Sequence, residues 1–189
     1  MAQIRVKTTW FKKGEGPRDF DETASVVAAT IWKMADRAVI NLSQADYDII
    51  TPQRGFTIMG ELMAFMLHLS DRMLHERVAD DERAALVQAT GKRLAEIVER
   101  NIHDVVGDDG FDYQANFIDM LNRRAQDYAD FDFSADKPDF PVLRYLGNRI
   151  CDIMGERDQP WIIDQIMELE TPQILETLQK TINGLFNPT

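Results

Sequence analysis

The sequence predicts an all-α fold, a single-domain bundle of six or seven helices organised around a central antiparallel helix hairpin. Three observations carry this. Apolar residues recur at three- and four-residue steps through most of the chain. The gaps between those stripes hold helix-start and turn residues. No stretch supports a buried sheet. One stretch anchors the rest: Gly60–Val78, GELMAFMLHLSDRMLHERV, apolar on nearly every face in its first half and carrying His68, Asp71, Arg72 and His75 in its second. It reads as a buried central helix with a polar seam.

Taken in order, residues 1–20 show no helical period and are read as an N-terminal arm, with residues 21–189 as the helical domain. Gln3–Phe11 alternates loosely, and Gly14–Phe20 is a turn. Asp21 is expected to cap a first helix over Glu22–Leu42, whose stripe is Val27, Ile31, Met34, Ala35, Ala38 and Leu42. Thr51–Pro52 restarts the chain as cap plus first-turn proline, and the second helix runs on to about Ala79. Acidic residues Asp80, Asp81 and Glu82 suit the start of a third helix, Asp81–Val106. A link this short makes helices two and three antiparallel neighbours. Asp108–Asp112 is a polar turn opening a fourth helix, Phe111–Tyr128, with Tyr113, Phe117, Met120, Leu121, Arg124 and Tyr128 on one side. The aspartate-rich loop Asp130–Pro141 is the candidate internal boundary. A fifth helix covers Val142–Met154, Pro160 opens a sixth over Trp161–Leu169, and Thr171–Pro172 caps a seventh, Gln173–Phe186.

The totals narrow the function classes. A chain of 189 residues can bury a substantial core, and its formal charge of −11 is concentrated in residues 101–189, which carry 7 basic and 17 acidic side chains. Such a surface repels phosphate backbones, so nucleic acid is not an expected partner. The single cysteine, Cys151, excludes an intrachain disulfide framework and points to a cytoplasmic protein with a buried thiol. The longest unbroken apolar run, Leu62–Leu67, is far too short to span a bilayer, so no membrane association is expected.

Chemistry is suspected only along the seam. Glu61, His68 and His75 are seven residues apart and drift only about 20° per step around a helix, with Asp71 one turn from each histidine. In an antiparallel hairpin whose turn is centred on Asp80–Asp81, Glu61 faces Arg100 and His68 faces Arg93, with Glu99 and His103 close to Glu61. Glu61, His68, Glu99 and His103 would then form a two-carboxylate, two-imidazole ligand set of the kind that holds iron, manganese or zinc between helices, with Asp71 and His75 as the second choice. Against this, Glu99 and His103 are one residue too far apart for the Glu-x-x-His repeat of di-iron bundles. The two arginines would also repel a cation. The loop spacing Asp130-x-Asp132-x-Ser134 lacks the glycine and glutamate of a calcium loop.

Three functions remain as expectations. The leading one is a protein-interaction or self-association module, binding a protein partner or a second copy as a homo-oligomer. The others are a metal-binding helical protein, with or without enzymatic activity, and a carrier of an apolar small ligand using Met59, Met63, Met66 and Met73.

Overall fold

The computed structural model describes residues 20–75, 77–132 and 138–186. The N-terminal arm lies outside the described residues except for Phe20, as does the middle of the Asp130–Pro141 loop. The described residues form an all-α single domain with no strand. Its elements are α1 (Phe20–Gln44), α2 (Pro52–Leu74), α3 (Asp80–Val106), α4 (Tyr113–Ala129) and α5 (Phe140–Cys151). A last helical run follows, made of α6 (Gln159–Asp164), a π-helical segment (Gln165–Glu170) and α7 (Thr171–Phe186).

The starts of these helices follow from local chemistry. Thr51 is extended and its Oγ1 accepts the Arg54 amide at 3.2 Å, with Pro52 needing no partner in the first turn. Asp112 caps α4 by accepting the Ala115 amide at 2.8 Å, and Asp108 and Asp109 accept the Gly110 and Phe111 amides in the turn before it. Asp21 does not cap α1 as expected. The helix begins at Phe20, so Asp21 is a first-turn acid, 3.8 Å from Arg93 on α3.

α2 is the buried centre. Ile58, Leu62, Phe65, Met66 and Leu69 are fully buried on it, and α1, α3, α4, α5 and α7 all pack against it. The pairs Asp71–Arg83 and Leu67–Gly91 join late α2 to early α3, which makes the two an antiparallel hairpin. One core continues across the aspartate-rich loop, taking in Phe117 and Leu121 before it and Leu146 and Ile150 after it. The four methionines at positions 59, 63, 66 and 73 are all buried in that core.

The expected separate start at Thr171–Pro172 is absent, because α7 continues directly from the π segment. The helix runs through the pair because the wider π turn makes room for a proline ring and a missing amide. The Thr171 hydroxyl donates to the Ile166 carbonyl at 2.7 Å, five residues back. Glu170, buried inside the π segment, accepts Asn41 Nδ2 and Gln165 Nε2, each at 3.1 Å, and so ties the segment to α1.

α5 and α6 touch at Gly147, where an added Cβ would lie 2.9 Å from Ile163 Cγ2. That atom is fixed at a branched Cβ and cannot swing away. Gly147→Ala is therefore expected to lower stability by about 1–3 kcal/mol in thermal unfolding. An unchanged melting temperature would show that the two helices have room to part.

Candidate functional site

Glu61 and His68 of the α2 seam face α4, with Arg149 of α5 close to Glu61, while Asp71 turns to Arg83 of α3. Glu61 is 4% exposed and receives a two-pronged guanidinium. Arg124 Nε lies 2.7 Å from one carboxylate oxygen and Nη2 lies 2.7 Å from the other. The third arm of the same guanidinium, Nη1, reaches Asp127 Oδ2 at 3.0 Å, and the Tyr145 hydroxyl donates to that same oxygen. Arg149 Nη2 stands 3.8 Å from Glu61 and its Nη1 pairs with Asp152.

The acid–base character follows from these contacts. The bond to Glu61 raises the pKa of Arg124 above the ordinary guanidinium value, outweighing burial. The Tyr145 hydroxyl and then Arg124 hold Asp127 below the usual carboxylate range against its partial burial. Burial and the Asp127 bond push Tyr145 up to about 12. The group is a closed set of charges in which each anion already has its cation or donor.

Beside it, His68 stacks on Tyr128 with ring centroids 5.0 Å apart and 19° between planes. Tyr128 also meets Phe65 and, edge-on, Tyr145. Burial, reinforced by the neighbouring Arg72 and only partly opposed by Asp71, lowers the His68 pKa to about 4. Its imidazole is thus neutral at physiological pH.

The four expected metal ligands are not brought together. Glu61 and His68 face Arg124 and Tyr128 in the second half of α4. Glu99 accepts Gln114 Nε2 and His103 sits edge-on to Tyr113, both in the first turn of α4. The second choice fares no better. Asp71 is taken by Arg83, and His75 lies past the end of α2 as an exposed C-cap residue. Among the described residues, no three histidine, cysteine, aspartate or glutamate side chains converge to hold a cation. The expected facing of Arg93 and His68 is also absent, since Arg93 pairs with Glu96 and Asp21 on the α1 side.

The reason is the identity of the neighbour. Placing α3 opposite the seam follows chain order, but α4 packs on both α2 and α3 and takes up the polar groups of each. Arg124, Asp127, Tyr145 and Arg149 were not among the candidates. A signal for Arg124 exists: it falls on the apolar stripe of α4 between Leu121 and Tyr128, and a buried arginine requires a buried acid.

Where α2 begins and α3 ends, the same three helices leave an open cleft of about 600 Å³. Phe56, Val98, Ile102, Phe117 and Met120 line it, Gly60 and Glu61 are at its base, and Thr57 and Asn116 stand on its walls. Two large apolar residues remain exposed in it, Phe111 at 51% and Val106 at 56%.

Comparison of the chain with protein-family models, with curated proteins and with solved structures finds no match.

Proposed function

We propose that this chain is a protein-interaction module whose docking surface is the cleft between α2, α3 and α4. The observation that carries this reading is the combination of an apolar interior with large apolar residues left in water in the same cleft. Val106 ends α3 and Phe111 stands in the turn before α4, and folding leaves 56% and 51% of them exposed. Docked partners bury such residues, and a groove walled by helices is a common seat for a partner segment. The charged set around Glu61 supports the reading indirectly. Its members satisfy one another and serve to position α4 over α2, which builds the cleft's far wall. A second reading, carriage of an apolar small ligand, draws on the same cleft, whose volume falls within the usual range for ligand pockets. No helix among the described residues is long and apolar enough to cross a membrane.

A photo-crosslinking amino acid placed at Thr57 or Asn116, both exposed and lining the cleft, separates the two readings. Expression in the native cell should give an adduct with a discrete polypeptide, or with a second copy of the chain. The same group at exposed Lys180 should give none. An adduct of small-molecule mass would favour the carrier instead, and equal crosslinking at all three positions would overturn both.

A further inference from the structure

We propose that the segment this cleft accepts is a short amphipathic helix with lysine or arginine flanking its apolar anchors. This rests on the reading of the cleft as a docking surface. The length of the cleft selects the helix. Its walls run from Pro52 to Glu61 on α2, from Val98 to Val106 on α3 and from Tyr113 to Met120 on α4. At 1.5 Å per residue these walls measure about 10–14 Å, the reach of anchors at i, i+3 or i+4, and i+7 on a helix of two turns. An extended peptide gains affinity by adding to an open strand edge, and three helical walls offer none.

Charge selects the flanks. No lysine or arginine lines the cleft, and its two acids are Glu61, which is consumed by Arg124, and Asp109. Asp108 and Asp112 stand in the same turn as Asp109, all three exposed. From residue 101 through residue 122 the chain has five aspartates and no lysine or arginine. The N-termini of α2 and α4 and the C-terminus of α3 all reach the cleft; the end of α3 offsets that of α2 and the Asp112 carboxylate caps that of α4, so the remaining exposed aspartates set its polarity. The nearest cation on α2, Arg54, is occupied by the carbonyl and carboxylate of Asp48. A partner with acidic flanks would meet like charge from the exposed aspartates at the rim, while a basic one gains attraction and orientation there.

The experiment is a fluorescence-anisotropy titration of the full chain with three labelled synthetic peptides, each three helical turns long. One carries leucine and tryptophan anchors with lysine and arginine on the polar face. The second keeps the anchors and places glutamate on that face. The third keeps the basic face and replaces the anchors with serine. The first should bind at least about tenfold tighter than the second at low salt, with the gap closing as salt screens the rim. The third should not bind. Thr57→Trp and Asn116→Trp, each filling the cleft from an exposed position without altering net charge, should each abolish binding of the first.

If the glutamate-faced peptide binds as well as the basic one, the proposed partner chemistry is overturned and the docking cleft survives. If neither anchored peptide binds, the docking reading itself falls. Binding that persists in both filled variants would place it elsewhere on the acidic body and overturn the proposal. So would a dimer, seen by light scattering, that dissociates in Thr57→Trp, because a second copy would then be the occupant.

Discussion

Replacing Glu61 with methionine should cost the protein about 3 kcal/mol of stability, Arg124→Met should cost a similar amount, and the double variant should lose less than either alone. The pair is nearly dry, with side chains 6% and 12% exposed, and joined by two 2.7 Å contacts. Breaking such a pair from one side leaves an uncompensated charge where water cannot reach it, at a cost of roughly 3–5 kcal/mol. Here the lower end applies, because each survivor keeps a nearby countercharge. Without Arg124, Glu61 still has Arg149 at 3.8 Å, and without Glu61, Arg124 still has Asp127 at 3.0 Å. Removing both charges leaves two flexible apolar side chains, while Asp127 retains its bond from Tyr145 and Arg149 its pairing with Asp152. Urea unfolding of the wild type, both single variants and the double variant measures the coupling. Losses that simply add would mean that the two side chains act independently, and the description of a closed charged set would be wrong.

The same pair shows what the sequence could and could not reveal. Helix starts are legible because a cap is decided within four residues, and Thr51 and Asp112 bond as their types and positions require. The stripe of α2 is legible because burial on almost every side demands an almost continuously apolar run. Helix ends are harder. His75 continues the heptad of Glu61 and His68 on paper, yet α2 ends at Leu74 and the imidazole leaves the seam. The Thr171–Pro172 pair has the chemistry of a new helix start, and the π turn before it, held by Asn41 of α1 through Glu170, lets the preceding helix run into it without a break. That support is tertiary and leaves no mark within the segment. The seam failed for a related reason. Glu61, His68 and Asp71 do lie on one helix, but their partners depend on which helix covers them, and for Glu61 and His68 chain order names α3 where packing supplies α4. The arginine within the apolar stripe of α4 was the one local clue that pointed the right way.

Acidification from pH 7.5 to 4.5 should weaken the fold by about 2 kcal/mol through His68 alone. Burial first, then the charge of Arg72, lower its pKa in the folded chain to about 4, against 6.5 in an unfolded one. Between those values the unfolded state binds a proton that the folded state refuses, so stability falls as pH falls. The contribution is fully present above pH 6.5 and is lost as pH descends towards 4. The full shift would correspond to roughly 3 kcal/mol, and the partial exposure of the ring trims that to about 2. Carboxylates held below their ordinary range contribute in a different window. Asp127 is lowered by Tyr145 and Arg124. Asp158 is lowered by the Asp48 amide and Arg157 despite a larger opposing effect of burial than either alone exerts. Their stabilisation is lost only below pH 3.8, so they do not obscure the histidine step. The decisive comparison is urea unfolding of wild type and His68→Gln across that range, because the difference between the two curves isolates the imidazole. The wild type should lose its excess stability between pH 6.5 and 4.5 while the variant stays flat by comparison. Parallel curves would mean that His68 gains its proton as readily in the fold as in water, which its stacking between α2 and the buried ring of Tyr128 should prevent.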